Sequence, residues 1–240
     1  MKSKDSASVP PDPLQLRDRV AVPLAPRWHT TALIALILAV ALTGTVLGAN
    51  SVAAGAALAR ERILGAYVPL LVVSWGLTMY VARLGRPRSA LGALVGRGWD
   101  GFGRASADLF LASVAWLAIE TVEAVAGKWR NAAAVALLPH SSFERVAWVL
   151  VAMTAGFCEE VIYRGYLQIQ LTACTRSAAL GIALQATLFG VAHGEQGVGV
   201  ALRFTLYGIL LGVLSRWRRS LVPAILCHVG IDLASGLMAS

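Results

Sequence analysis

Charge is what this chain has least of. Only 14% of its 240 residues are charged and 57% are hydrophobic, whereas a soluble domain of this length carries about a quarter charged residues. That scarcity excludes an ordinary soluble composition and points to a single bundle of membrane helices. Acidic residues are the rarer sign, 13 against 21 Lys and Arg, for a formal net charge of +8. A surplus of that size can mark a nucleic-acid binder. Here the arginines lie in short clusters between apolar runs, where they orient helices in the bilayer. No nucleic-acid partner is expected.

Cysteine is also sparse. Cys158, Cys174 and Cys227 are widely spaced, form no CxxC pair and fall in or beside apolar segments, so they read as small packing residues. Cys158 beside Glu159 lacks the electropositive setting a thiolate nucleophile needs. Nor is the N-terminal stretch expected to be a signal peptide. The opening "MKSKDSASVPPDPLQLRDRVAVPLAP" has no apolar core and carries five prolines before Trp28. Residues 1–27 are expected to be a flexible tail, and the first apolar run a retained span.

What the chain does have is long apolar runs. About 20 such residues cross the hydrocarbon core. Spans are expected over Thr31–Asn50, Ile63–Ala82 (with a kink at Pro69), Ser106–Ala126 and from near Val146 into "FCEEVIYRGYLQ". Three shorter ones follow at Ser177–His193, Val198–Leu214 and Leu221–Leu237. The arginine-studded stretch Arg83–Arg104 reads as an interfacial segment. The expected fold is therefore an all-α integral membrane protein, a bundle of about seven transmembrane helices plus an interfacial segment, in contact with membrane lipids. Counted by loop, 14 Lys and Arg fall on one side and six on the other, which predicts a cytoplasmic N-terminus.

Few ionisable groups remain deep in these segments: Glu159, Glu160, Arg164, His193, His228 and Asp232. A charged one at the centre costs about 2.5–3.5 kcal/mol on insertion scales, so each is a functional candidate. Glu160 and Arg164 are four apart and share a helical face, while Glu159 lies about 100° round the helix, free to face a cavity. Phe189 and His193 repeat the four-residue spacing, which suits an aromatic packed under an imidazole. So do His228 and Asp232, where the aspartate could orient the histidine. A carboxylate and two histidines on three helices could bind zinc through Glu159, His193 and His228 and activate its water. Alternatively, Glu159 could act directly as general base, with histidines stabilising the oxyanion. Taken singly, the Glu160–Arg164 pair reads as structural, and a lone histidine as a hydrogen-bonded core residue.

Three of these motifs resemble those of one family. "EEVIYR" is similar to the EExxxR signature of the CPBP family, the CAAX proteases and bacteriocin-processing enzymes also called the Abi family. "FGVAH" resembles its FxxxH motif, and "HVGID" its third, a histidine followed four residues later by Asn or Asp. The resemblance covers about Phe143 to Leu237. It implies an intramembrane peptidase of the CAAX type, in the cell membrane of a bacterium, with a protease domain over 28–240 and its motifs in 157–232. The implied substrate is a membrane-associated or prenylated protein, or a peptide precursor. By the same resemblance Glu159 activates water with His193, His228 stabilises the oxyanion, and Asp232 positions His228. Glu160, Arg164 and Phe189 support them. Zinc is the implied cofactor only if the reaction is metal-dependent. Asp232 departs from the commoner Asn: an ionised aspartate only accepts hydrogen bonds and would repel an oxyanion. Two other classes use the same residue types, a noncatalytic scaffold or partner-binding protein on this fold, and a proton-coupled transporter. The lack of an inverted repeat weighs against the transporter.

Overall fold

In lipid every backbone polar group has to be paired within its own segment, and this chain answers with helices throughout. The computed structural model describes residues 23–53, 63–84, 91–126, 138–194 and 197–238. Helix α1 is Arg27–Ala53. A π-helical turn, Ile63–Tyr67, opens directly into α2, Val68–Leu84. Pro69 sits at the start of α2, where its ring removes a donor and crowds the preceding turn. The wider π winding falls where that strain has to be absorbed.

After the short α3, Leu91–Val95, comes α4, Phe102–Ala126. Helix α5, Ser142–Glu159, begins with a reciprocal cap in which Ser141 accepts from the Glu144 N–H while Glu144 Oε2 accepts from the Ser141 N–H at 2.9 Å. It passes without a break into a π-helical stretch, Glu160–Leu167, and then α6, Gln168–Thr175. Helices α7, Ala178–Ala192, α8, Val198–Arg218, and α9, Val222–Leu237, complete the described elements.

All seven expected apolar segments are helical. Four of them have the length and composition to cross a membrane: Ile63–Arg83, Phe102–Val125, Ser142–Thr175 and Val198–Arg218. Arg27–Leu42, Ala178–Ala192 and Val222–Leu237 are shorter. The protein is a helical integral membrane protein. Its outer surface carries Leu38, Val40 and Leu42 of α1, Val72 of α2, and Phe110 and Leu117 of α4, the apolar belt that lipid requires. The core gathers around Cys158, Val161, Tyr166, Leu167 and Leu221.

Three close contacts fix the site's neighbourhood. Gly208 of α8 lies so near Ala186 of α7 that an added methyl would stand 2.8 Å from the alanine Cα, which is how small residues let membrane helices approach. Gly96, at φ +80, forms an antiparallel bridge to Ser220, and Leu221 N–H donates to Val95 O at 2.8 Å. The interfacial segment is thereby tied to the turn between α8 and α9. Asp108 of α4, fully buried, accepts from Arg218 at 2.7 Å and from the Trp99 indole at 3.2 Å.

The expected tail boundary at residue 27 falls late. Residues 1–22 lie outside the described residues, as do 85–90 of the interfacial stretch. Leu24 and Ala25, however, are buried, and the Gln170 amide holds the Ala25 backbone on both sides, donating to its carbonyl at 2.7 Å and accepting from its N–H at 3.2 Å.

Candidate active site

The first motif does not sit on a regular α-helix. Its residues from Glu160 to Leu167 wind with the i→i+5 pattern of a π-helix, and all eight are buried. Such widened turns are rare and occur mostly at functional positions. Midway along the Ser142–Thr175 rod, the winding places Glu159 and Glu160 side by side at depth.

Glu160 Oε1 accepts from Arg164 Nη1 at 2.8 Å, both side chains closed off from the surface. The same oxygen accepts from His228 Nδ1 at 2.9 Å. A carboxylate held by a guanidinium only accepts, so His228 Nδ1 carries the hydrogen and Nε2 is the nitrogen turned elsewhere. That Nε2 lies 3.8 Å from Glu159 Oε2 and 3.7 Å from Asp232 Oδ2. Both separations exceed a direct hydrogen bond and are of the size a bridging water or a substrate atom spans. The Glu159 and Asp232 side chains keep 23% and 27% of their exposure, so the cluster is sealed at Glu160 and Arg164 and open at Glu159 and Asp232.

His193 caps the end of α7. Its Nδ1 donates to Phe189 O at 2.8 Å. A carbonyl cannot donate, so this hydrogen bond sets the tautomer and leaves Nε2 with a lone pair in the neutral ring. Phe204 of α8 stacks parallel on the imidazole at 4.0 Å, and the Phe189 ring meets it edge-on at 4.8 Å. Phe189 also meets His228 edge-on at 5.9 Å and Tyr163 at 5.0 Å, and carries the Arg164 guanidinium over its face at 4.3 Å. One buried ring is thus the common wall for both imidazoles and the arginine.

The structure brings Glu159, Glu160, Arg164, His228 and Asp232 into one cluster. His193 joins it through Phe189; among the described residues, none of the hydrogen bonds or ion pairs links it to the carboxylates. One expectation needs correcting. The hydrogen bond that orients His228 is the one its Nδ1–H donates to Glu160, and Asp232 stands beyond hydrogen-bond distance of Nε2. The approach of α9 to the π-helical stretch presents Nδ1 to Glu160, leaving Asp232 on the other edge of the ring.

Sequence reasoning missed Trp148, whose indole donates to Asp232 O at 2.8 Å and fills the space beside Gly236, so that it sets the height of α9. It also missed Phe204, and the buried Asp108 far from the site. Only Asp108 left a trace, the four-residue spacing from Arg104.

The suggested zinc ligands Glu159, His193 and His228 do not stand as a donor set. Among the described residues, no three His, Cys, Asp or Glu side chains are grouped to hold an ion.

Residues 141–234 match a family model described as type II CAAX prenyl endopeptidase, Rce1-like. The match supports membership of the CAAX/CPBP family. The matched segment begins at the cap of α5, ends two residues past Asp232 and contains every residue of the cluster. No curated protein and no solved structure matches the chain. The matched domain supports a CAAX-type intramembrane protease family. Helices α1 to α4 lie outside the matched segment, yet Asp108 and Glu123 bind α4 to α8, through Arg218 at 2.7 Å and the Tyr207 hydroxyl at 2.7 Å.

Proposed function

We propose that this protein is an intramembrane endopeptidase that hydrolyses a peptide bond with a glutamate-activated water. The observation that carries the reading is the Glu160–His228–Glu159 line. A buried, arginine-held carboxylate fixes one face of an imidazole, and the other face looks at a second carboxylate across a 3.8 Å gap.

Glu159 Oε2, buried and without a hydrogen-bond partner, is the general base. It takes a proton from water as the water oxygen attacks the scissile carbonyl carbon. His193, its tautomer fixed by Phe189 O, supports that water through Nε2. His228, protonated on both nitrogens, donates from Nε2 to the developing oxyanion while its Nδ1–H stays on Glu160. Asp232 lies beside the positive ring as a counter-charge rather than as the group that holds it. The proton taken by Glu159 then passes to the leaving amine as the C–N bond breaks, so the carboxylate is regenerated.

The substrate class is a membrane-associated or prenylated protein, or a peptide precursor, presented from the lipid. The bias of basic residues supports an N-terminus in the cytoplasm. Comparative proteomics of membrane peptides from cells carrying wild-type or Glu159→Ala protein tests the reading. Uncut species accumulating in the variant are expected. Wild-type processing by a correctly inserted Glu159→Ala protein would end the assignment.

A further inference from the structure

Buried polar atoms in membrane proteins find partners, because each one left unmade costs about 1–3 kcal/mol. Among the described residues, nine buried side-chain atoms have none, and six of them belong to one train of residues: Glu159 Oε2, Glu160 Oε2, Arg164 Nε and Nη2, Gln168 Oε1 and Gln185 Oε1. Arg164 and Gln168 are four apart on the central rod. Gln185 and Phe189 are four apart on α7, so the glutamine lies one turn deeper than the aromatic wall of the site.

The two glutamines converge on α8. Gln168 Nε2 donates to Gly212 O at 3.1 Å and Gln185 Nε2 to Gly208 O at 2.9 Å. Since a carbonyl only accepts, these bonds make Nε2 the donor of each amide and leave both Oε1 atoms unanswered. A methyl placed on Gly212 would stand 2.8 Å from both Gln168 Oε1 and Gln185 Nε2, so the amides meet over a residue with no side chain. From Phe204, level with His193, to Gly212 is about 12 Å along α8 at 1.5 Å per residue.

We propose that Glu160, Arg164, Gln168 and Gln185 line a file of internal water running from Glu159 toward the Arg218 end of α8. Water is the ligand whose chemistry fits, because the unanswered atoms include both donors (Arg164) and acceptors (the carboxylates and amides), and a buried water makes about three hydrogen bonds to such groups. An anion would serve the arginine and oppose the carboxylates; a cation would do the reverse. The use of this water as the replacement for each molecule consumed rests on the peptidase reading. The file itself does not. Its direction is the informative part: the file leads from Glu159 away from the His193 end as far as Gly212, behind a substrate that fills the open side at Glu159 and Asp232.

The test is X-ray hydroxyl-radical footprinting of the full chain in lipid nanodiscs, in which radicals born from bound water oxidise the side chains beside it. Oxidation is expected at Phe189 and Tyr163, which are 1% and 6% exposed, and at Ile182, whose Cγ2 lies 3.3 Å from the Gly212 methyl position. In a Gln168→Leu, Gln185→Leu double variant the Ile182 signal is lost while Phe189 stays labelled, with exposed Phe102 as the internal standard. If the double variant does not fold, each single variant is read in the same way. Unlabelled Phe189 and Tyr163 in the wild type would overturn the file, as would an Ile182 signal indifferent to the glutamines. Irradiation needs no substrate, so a dry interior leaves the peptidase reading standing. An active Glu159→Ala protein with a labelled interior would sink that reading and spare the file.

Discussion

Glu160 Oε1 and His228 Nδ1 lie 2.9 Å apart although 68 residues separate them in the chain. The same oxygen holds Arg164. One carboxylate therefore joins the π-helical stretch to α9 and balances the buried cation beside it. Removing the charge is expected to be costly. Glu160→Ala should destabilise the protein by about 3–5 kcal/mol, the range for breaking a buried pair, and abolish processing; thermal unfolding in detergent reads the first effect. Glu160→Gln keeps an acceptor for both partners and should fall between the two.

Glu159 behaves in the opposite way. Its Oε2 has no hydrogen-bond partner and stands in a crowd of carboxylates. Glu159→Gln should therefore leave the melting temperature unchanged or raise it, while processing drops by about 10²–10⁴-fold, the usual contribution of a general base. A large loss of stability with proportionate loss of activity would mean that Glu159 is a structural residue.

The parallel stack of Phe204 on His193 makes a third prediction. Aromatic pairs contribute about 0.5–1.5 kcal/mol beyond their area, so Phe204→Leu should slow processing several-fold with little change in folding. Phe204→Tyr, which keeps the flat face, should restore the rate. Equal rates for the leucine and tyrosine variants would show that the stack does not position the imidazole.

Far from the cluster, Asp108 answers Arg218 and Trp99. Asp108→Ala takes the carboxylate from the partly buried Arg218 guanidinium and should cost about 1–3 kcal/mol. Whatever protein folds should keep the wild-type rate per molecule. Quantifying folded protein by size-exclusion chromatography beside substrate processing separates the two effects.

The glutamate mechanism also predicts the outcome of metal removal. Protein dialysed exhaustively against a chelator should process its substrate at the untreated rate. A loss that zinc alone restores would overturn the assignment of Glu159 as a direct base.

The helices were legible because the apolar runs are long and few charges interrupt them. The cluster was legible for the same reason: Glu159, Glu160, Arg164, His193, His228 and Asp232 stand out where charge is expensive. Their partners were not. A four-residue spacing pointed to Asp232 as the orienting group of His228, because local periodicity sees only one helix. The actual donor–acceptor pair joins two helices, and only packing shows it. The π winding from Glu160 to Leu167 has no compositional mark. Trp148 and Phe204 read as ordinary membrane aromatics until the neighbours they touch are known. Asp108 was passed over for a simpler reason: it falls in the first turns of α4, close to an arginine-rich stretch already assigned to the surface.

Both imidazoles and the guanidinium lean on a single benzyl group, Phe189. The site therefore has one keystone. A shift of α7 that withdraws it unseats His193, His228 and Arg164 in the same movement, so this machinery is either wholly assembled or wholly idle.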